Sequence, residues 1–233
     1  MLYVESDSKE ATFYFAAEEN FTRNVQKSVP LLILWQTEKT VMLGNNQTIE
    51  AEVDVEFAKK EGIKIVHRPS GGGAIYTDSG TVLYSIIQPF TKDANKHREE
   101  TADMIIAALK TMGINAIQEG RNDILLDGKK ISGLAQHTSP THICTHGSLL
   151  YDTDLDILTK VLIPNESKLK PKGISSIRSR VTNIRPYIKN NFTIDEFIKE
   201  LKTTLFIGKE YYVYNLNANC TEITERLEVN GFR

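Results

Sequence analysis

The stretch that organises this chain is HRPSGGGAIYTD at residues 67–78. Its three glycines separate two apolar runs that predict strands at residues 64–66 and 74–77. Glycine lacks a Cβ atom and tolerates positive φ, so a ligand can lie directly against the backbone N–H groups of such a loop. Arg68 adds a cation with a fork of donors, and Ser70 adds a hydroxyl. The loop is therefore a candidate cradle for a carboxylate or a phosphate, and a flexible hairpin turn is the alternative interpretation.

The composition is that of an ordinary globular protein, with 40% apolar and 25% charged residues in a chain of 233. The formal net charge of −2 argues against a dedicated nucleic-acid binder. We expect no membrane partner, because no stretch approaches the roughly 20 apolar residues that cross a bilayer and the first residues do not form a secretory signal. The two cysteines, Cys144 and Cys220, favour a reducing cytoplasm over a disulfide scaffold.

The apolar pattern predicts an α+β fold with mixed or largely antiparallel sheets flanked by helices. Helices are expected at residues 11–24, 53–60, 96–112, 154–162 and from Thr193 onward, where Glu196 completes a capping box. Strands are expected at residues 30–35, 40–43, 64–66, 74–77, 81–88, 115–118, 123–126, 129–136 and 147–151. The first two of these strands are expected to pair as a hairpin.

A second informative stretch consists of two short motifs, GRND at residues 120–123 and GKKISGLAQ at residues 128–136. They predict a hairpin in which Asn122 and Asp123 lie at one end and Lys130 lies inside the second arm. The small residues Gly133 and Ala135 leave room for a ligand beside that lysine. A solvated lysine on an edge strand is the alternative interpretation.

Two more stretches add polar groups, HGSLL at residues 146–150 and KGISSIRSRVTN at residues 172–183. The first carries His146, Gly147 and Ser148 into an expected strand. The second is basic and rich in hydroxyls, with Arg178 and Arg180 near its centre. That composition suits a loop that closes over an anionic ligand, and an ordinary surface loop is the alternative.

These motifs occur in one order, and together they resemble the lipoate–protein ligase A family: R-x-S-G-G-G-A-[IV]-Y-x-D, G-R-N-D-I, G-K-K-I-S-G-x-A-Q, H-G-x-L-L and K-G-I-x-S-[IV]-R-S-R-V-T-N. The likeness covers about residues 16–183, and GNNQ at residues 44–47 fits the family's G-x-x-Q. Each motif alone is weak, whereas five in order are specific. The resemblance implies the catalytic fold shared with biotin ligases and octanoyl transferases. It predicts one catalytic domain over residues 1–233, with residues 192–233 as an extension toward an accessory domain.

The resemblance also implies a reaction. Lipoate and ATP form lipoyl-AMP and pyrophosphate, and the lipoyl group then passes to a lysine of a lipoyl domain, in a 2-oxo-acid dehydrogenase E2 subunit or the glycine-cleavage H protein. Catalytic roles fall on Lys130, Asn122 and Asp123, with Asp123 also a candidate Mg²⁺ contact. The residues implied to contact lipoate or the adenylate are Arg68, Ser70, Gly71, Gly72, Gly73, Tyr76, Lys130, Gly133, Ala135, His146, Gly147, Ser148, Arg178 and Arg180. Candidate walls for the acyl slot are Trp35, Leu43 and Tyr76.

The sequence departs from the family pattern at three positions, where His67, Thr77 and Thr81 replace the usual Arg, His and Asn. These positions are expected beside the acyl pocket, where they would alter acyl preference or rate. Typical family members also continue past the position of Arg233 with a small accessory domain. A separate partner domain, a reduced ligase and a truncated product are the three explanations for that difference.

Two other functions compete with a ligase. An octanoyl or lipoyl transferase of the same fold would use a cysteine nucleophile and no ATP, and Cys144 lies two residues before His146. An accessory protein that binds lipoyl domains would keep the fold without turnover. Arg121, Asn122 and Asp123 stand where the ligase pattern has them, which argues against the transferase. The intact Lys130 and glycine loop argue against the accessory protein.

Overall fold

The structure is a computed structural model that describes residues 1–24, 29–163 and 180–216. Its strands are β1 (Leu2–Glu5), β2 (Leu31–Trp35), β3 (Thr40–Leu43), β4 (Lys64–His67), β5 (Ile75–Thr77), β6 (Thr81–Pro89), β7 (Ile117–Glu119), β8 (Asp123–Leu126), β9 (Lys129–Thr138), β10 (His142–Leu150) and β11 (Tyr212–Asn215). Its α-helices are α1 (Ala11–Asn24), α2 (Ile49–Glu52), α3 (Val55–Lys60), α4 (Ala94–Thr111), α5 (Leu155–Val161) and α6 (Ile194–Leu205). A 3₁₀ turn covers Arg185–Tyr187.

A mixed eight-stranded sheet forms the centre of the molecule, in the order β11-β1-β2-β6-β10-β9-β8-β7. Strands β11, β1 and β2 pair in parallel, and all pairs from β2 to β7 are antiparallel. A second sheet has three strands, in the order β4-β3-β5. The predicted α+β class with mixed, largely antiparallel sheets is confirmed.

The large sheet is covered on both faces. Helices α4 and α6 pack on one face, where Ile105, Leu109, Phe197 and Leu201 join a single apolar cluster with the strands. Helix α1 packs on the other face through residues that recur at helical spacing, including Tyr14 and Phe21. The face under α1 is also the face that the small sheet approaches, and this leaves a cleft between the two sheets.

The predicted hairpin between residues 30–35 and 40–43 is wrong. All five residues of β2 are buried, and β1 and β6 occupy both of its edges. No edge of β2 is left for β3, which instead pairs in parallel with β4 and antiparallel with β5. Local apolar runs predicted both strands, but the partner choice was decided by residues far along the chain.

The other predicted elements are confirmed with shifted ends. The last predicted strand is longer than expected and begins at His142. Gly62 has a φ of +65° directly after α3, as a glycine at a helix end commonly does. After α6, β11 adds to the edge of the large sheet beside β1. Within the described ranges, no helix has the length and apolar character needed to cross a bilayer.

The capping box at the start of α6 gives a stability test. Thr193 accepts from the Glu196 backbone N–H, and the Glu196 carboxylate accepts from the Thr193 backbone N–H. We expect Thr193→Ala to lower the free energy of unfolding by about 1 kcal/mol, because it removes one half of this reciprocal pair. Thr203→Ala in the same helix is the control, since Thr203 is exposed and bonds only within the helix. Urea denaturation measures both, and equal effects would contradict the capping argument.

Candidate active site

The glycine loop, residues 69–74, crosses the end of β3, because β4 and β5 flank that strand on opposite sides. The backbone N–H of Asn45 donates to the Ser70 carbonyl at 3.0 Å, which ties the loop to the segment after β3. Gly72 has a φ of +98°, a conformation that favours glycine. A Cβ on Gly44 would lie 2.2 Å from the Gly72 carbonyl oxygen. Two backbones therefore meet here at a distance that only glycine permits.

The buried Arg68 side chain stabilises this loop through hydrogen bonds. Its guanidinium donates to Ser70 Oγ at 3.1 Å and to the carbonyls of Met42, Gly71 and Gly73 at 2.8, 2.8 and 2.7 Å. These bonds use four of the five guanidinium N–H groups. Burial lowers the pKa of Arg68 to about 10, so the side chain stays charged at neutral pH. Its principal role in this structure is to shape the loop.

Ser70 connects the loop to a buried polar chain. Ser70 Oγ lies 2.6 Å from His146 Nε2, and His146 Nδ1 lies 2.9 Å from a carboxylate oxygen of Glu18 on α1. Ser85 donates to the other oxygen of Glu18, and Trp35 Nε1 donates to Ser85 Oγ at 3.0 Å. The chain joins helix, sheet and loop into one hydrogen-bonded unit.

Glu18 is completely buried, yet it is the anionic centre of that chain. Burial acts to raise the pKa of Glu18, but the neighbouring His146 and His137 outweigh burial and hold that pKa well below its usual range. Glu18 was missed from the sequence. Helical spacing carried a signal for it, because position 18 lies four residues after Tyr14 and three before Phe21, on the apolar face of α1.

Lys130 lies across the cleft from the glycine loop and pairs with Asp123 at 2.7 Å. The predicted hairpin is confirmed, and it contains a β-bulge: Ile124 pairs with Ser132, whereas Leu125 pairs with Lys130. Because Ile131 is the extra residue of the bulge, Lys130 lies on the same face as Asp123 and Gly133, although three positions separate it from Gly133. A Cβ on Gly133 would lie 2.9 Å from Lys130 Nζ, so the missing side chain gives the lysine its path.

One row of register partners forms the floor of the cleft. It runs across five strands through Trp35, Leu83, Ser148, Gly133 and Asp123. Directly opposite residues lie on the same face of a sheet, so this row changes from apolar to polar from one side of the cleft to the other. The apolar end suits a hydrocarbon chain, and the polar end suits a charged group.

Two adjoining cavities occupy the cleft. The narrower has a volume of about 160 Å³, and its apolar walls are Phe15, Trp35, Met42, Ile75, Leu83 and Leu134. The wider has a volume of about 670 Å³ and includes Arg180 and Val181 in its lining. Seven residues border both cavities: Gly73, Ala74, Ile75, Asp123, Lys130, Gly133 and Ser148. A narrow slot with apolar walls and a wider, open cavity therefore meet at Lys130.

The sequence matches the family described as the lipoyl protein ligase A/B catalytic domain over residues 10–206. The chain belongs to this family. It is 35% identical to a Mycoplasma pneumoniae protein named "Probable lipoate-protein ligase A", over 81% of this chain and 57% of that protein. It is 32% identical to a lipoate-protein ligase of Bacillus subtilis, over 88% of this chain and 62% of that protein. The chain thus spans about three fifths of the length of these relatives.

A solved structure of the same family has the same fold. It is a bipartite lipoate protein ligase from Thermoplasma acidophilum, described with its E2 lipoyl domain. The TM-score is 0.83 at 25% sequence identity, and the match covers 97% of this chain and 90% of that one. The fold predicted from the motifs is therefore confirmed over nearly the whole chain.

Most residues expected at the family's site line one of the two cavities. The narrow cavity is lined by Arg68, Gly72, Gly73, Asn122, Asp123, Lys130, Gly133, Ala135, His146, Gly147 and Ser148. Tyr76 and Arg180 line the wide one. Ser70 is a buried residue of the loop and is hydrogen-bonded to His146. The Gly71 carbonyl accepts a hydrogen bond from the Arg68 guanidinium. Arg178 lies outside the described residues. Contact of these residues with a ligand stays a prediction.

The three departures from the family pattern lie away from the narrow cavity, contrary to expectation. His67 is exposed and contacts the Gln47 carbonyl at 3.0 Å. Thr77 is buried in the small sheet, where its hydroxyl contacts that of Thr37 at 2.8 Å. Thr81 contacts Thr153 at 2.8 Å at the start of β6. Strands β5 and β6 direct the Thr77 and Thr81 side chains toward packing between elements.

Among the candidate acyl walls, Trp35 lines the narrow cavity. Leu43 instead packs in the apolar cluster of the small sheet with Val41 and Val53. Tyr76 belongs to that same cluster and reaches the wide cavity. The walls that the sequence did not predict, such as Phe15 and Met42, come from elements that only the tertiary fold brings to the cleft.

The contact between Gly44 and Gly72 gives a test of the loop. We expect Gly44→Ala to lower the free energy of unfolding by roughly 1–3 kcal/mol, because the new Cβ displaces the Gly72 carbonyl. Gly71→Ala is the matched control, since a Cβ there meets nothing within 4 Å, and its effect should stay within about 0.5 kcal/mol. Chemical denaturation compares the two. Indistinguishable midpoints would show that the two backbones do not meet as described.

Proposed function

We propose that this chain is the catalytic domain of an ATP-dependent lipoate–protein ligase. It would convert lipoate and ATP to lipoyl-AMP and pyrophosphate, and then transfer the lipoyl group to a lysine of a lipoyl domain. The observation that carries the proposal is the position of Lys130 at the junction of a narrow slot with apolar walls and a wider, open cavity. A reaction that joins a fatty carboxylate to a nucleotide phosphate needs a cation at such a junction.

The narrow cavity suits the acyl chain of lipoate. Its walls are aromatic and aliphatic. The register row across its floor places Trp35 and Leu83 toward one end and Asp123, the partner of Lys130, at the other. A chain bound with its tail among Trp35 and Leu83 would direct its carboxylate toward the lysine. Burial of the hydrocarbon supplies the affinity, and the cation fixes the orientation.

The wider cavity suits ATP. Gly73 presents backbone without a side chain at its border, and Ser148 and Arg180 add a hydroxyl and a cation. Lys130 also holds this region together through its backbone, since its carbonyl accepts from Thr182 N at 3.1 Å. The segment that carries Arg180 is therefore anchored beside the lysine.

Activation of lipoate is a displacement at the α-phosphate. A carboxylate oxygen forms a bond to phosphorus, and the bond to pyrophosphate breaks. Negative charge increases on the α-phosphate oxygens, where the Lys130 ammonium neutralises it. Before ligands bind, Asp123 at 2.7 Å compensates that ammonium. Anionic substrates would then replace part of the role of Asp123.

Mg²⁺ is part of the proposal, with Asp123 as the protein ligand. Its carboxylate is 43% exposed and borders both cavities, which fits a hard cation that keeps water and phosphate oxygens as its other ligands. Bound there, Mg²⁺ would neutralise charge on the departing pyrophosphate.

The transfer step needs fewer contributions from the protein than the activation step does. The acceptor lysine amine attacks the carbonyl of the mixed anhydride, an amide bond forms, AMP leaves, and the amine releases a proton. Lys130 would hold the phosphate of lipoyl-AMP, and Asn122 would orient the incoming amine. Acceptors of the proposed reaction are E2 lipoyl domains and the glycine-cleavage H protein.

A separate small accessory domain is a further proposed partner. The Thermoplasma acidophilum relative is described as bipartite, and this chain spans about three fifths of its longer relatives. The same proposal places the reaction in the cytoplasm, where lipoyl-domain proteins of dehydrogenase complexes work.

A transferase that uses Cys144 is less well supported. Cys144 is fully buried, and it is not among the described residues that line the cavities. Burial raises the pKa of its thiol well above the usual value, and the Glu18 carboxylate adds to that rise. A nucleophilic cysteine needs the opposite, an accessible site that favours the thiolate. A binding protein without turnover would not need the Lys130–Asp123 pair.

Lys130→Ala should abolish lipoyl-AMP formation and also transfer from synthetic lipoyl-AMP, because both steps need the cation. Each half-reaction is followed by mass spectrometry, with an apo lipoyl domain as acceptor and without one. Lys129→Ala is the matched control: Lys129 is the exposed neighbour and does not line either cavity, so it should retain near-normal rates. Activation by the Lys130→Ala protein would overturn the assignment.

ATP dependence separates a ligase from a transferase. With free lipoate, lipoylation of an acceptor domain should occur with ATP and Mg²⁺ and should fall to background without ATP. Octanoyl thioester of an acyl carrier protein, offered without ATP, should give no product. Transfer from that thioester would establish the transferase instead, and no product from either donor, with the small domain present, would leave only the binding role.

A further inference from the structure

Below the narrow cavity, a carboxylate, two imidazoles and a thiol lie close together. They are Glu18, His137, Cys144 and His146, and their potential ligand atoms all lie within 4.8 Å of one another. Only His146 also lines the cavity. The proposed ligase reaction uses neither His137 nor Cys144.

The fold brings these residues together by regular geometry. His137 and Cys144 are direct register partners between β9 and β10. His146 follows Cys144 by two residues, so both side chains point to the same face of the sheet. Helix α1 packs on that face and adds Glu18. Three strand positions and one helix position thus surround a common centre from fixed elements.

One nitrogen of the cluster, His137 Nε2, has no well-aligned hydrogen bond within the described part of the chain. His137 Nε2 is shielded from solvent, and the described residues provide no well-aligned partner for it, although Glu18 Oε2 is 3.4 Å away. His146 Nδ1 faces both carboxylate oxygens, at 2.9 and 3.1 Å. Buried polar nitrogens normally have a partner, so the orphan atom points to a missing one at this centre.

We propose that Glu18, His137, Cys144 and His146 form a binding site for a single Zn²⁺ ion. Two imidazoles, one thiolate and one carboxylate are donors that zinc accepts in four-coordinate structural sites. The charges balance, because the thiolate and the carboxylate together neutralise a divalent cation. On binding, the Cys144 thiol releases its proton to solvent, and both histidines bind in their neutral forms.

The surroundings of the cluster already contain the support that a metal site needs. Ser70 Oγ is 2.6 Å from His146 Nε2, so this ring keeps Nδ1 for the metal. Ser85 holds one oxygen of Glu18, which leaves the other oxygen for coordination. Outer partners of this kind fix the orientation of metal ligands. Through Ser70 and Arg68, the metal would also fix the glycine loop above it.

Metal binding by the full chain provides the test. Protein dialysed against a chelator is titrated with Zn²⁺ and, in parallel, with Co²⁺. We expect one ion per chain, and the Co²⁺ form should show the visible bands of tetrahedral cobalt and an ultraviolet thiolate-to-cobalt band. Zinc-edge X-ray absorption of the unmutated protein should show one sulfur at about 2.3 Å and three nitrogen or oxygen ligands at about 2.0–2.2 Å.

Variants assign the ligands. Cys144→Ser should remove the thiolate-to-cobalt band, whereas Cys220→Ser, at the other cysteine of the sequence, should keep it. His137→Gln removes a direct ligand, so its Zn²⁺ affinity should fall by more than the roughly 10- to 100-fold that is usual when an outer hydrogen-bond partner is lost. Ser70→Ala removes such an outer partner, so its Zn²⁺ affinity should fall within that range. His142→Gln, on the same strand as two of the ligands, should bind Zn²⁺ normally.

Two results would overturn the proposal. One is the absence of stoichiometric Zn²⁺ or Co²⁺ binding by folded, unmutated protein with its thiols reduced. The other is a bound ion whose X-ray absorption shows no sulfur ligand, or whose cobalt spectrum survives Cys144→Ser unchanged. Neither measurement depends on ligase activity, so the metal site and the proposed function can fail separately.

Discussion

The buried carboxylate of Glu18 is the constraint on which the architecture of this site depends. A charge removed from water is costly unless it is paired and hydrogen-bonded, and Ser85 and His146 provide those partners from two central strands. His146 is hydrogen-bonded to Ser70, and Ser70 accepts a hydrogen bond from Arg68. Helix α1, the large sheet and the glycine loop are thereby fixed together, and a change at any member leaves a buried polar group without its partner.

The buried hydrogen-bonded chain around Glu18 and the partly exposed pair of Lys130 and Asp123 lie in different parts of the site. The Glu18 chain lies below the narrow cavity, whereas Lys130 and Asp123 are partly exposed at the junction of the two cavities. The buried groups hold the shape of the slot, because they cannot rearrange without exposing unpaired atoms. The exposed pair can exchange partners at low cost, since water stabilises each separated charge. The proposed reaction, which binds two anionic substrates, needs both properties.

Much of this could be predicted from sequence, and the exceptions have physical reasons. Helix α1 and the hairpin with Lys130 were predictable because apolar spacing and turn residues are local signals. Strand β3 was assigned the wrong partner because pairing depends on which edges distant strands leave open. Arg68 lines the narrow cavity as expected, but its hydrogen bonds to the carbonyls of Met42, Gly71 and Gly73 were not predicted, because they depend on how the loop folds against β3. Glu18 and the cavity walls Phe15 and Met42 were missed because no short motif contains them.

The bulge at Ile131 has a consequence for how this strand can change. Side chains alternate along a strand, so regular pairing over the odd spacing between Lys130 and Gly133 would put these two residues on opposite faces of the sheet. The bulge keeps both of them on the face of Asp123. A strand of the same length without the bulge would turn the lysine away from Asp123. Changing the type of residue 131, buried within the core, would leave that choice of face intact. The face of the sheet that carries the lysine is therefore set by how the backbone pairs in this strand, and not by the type of residue in the bulge.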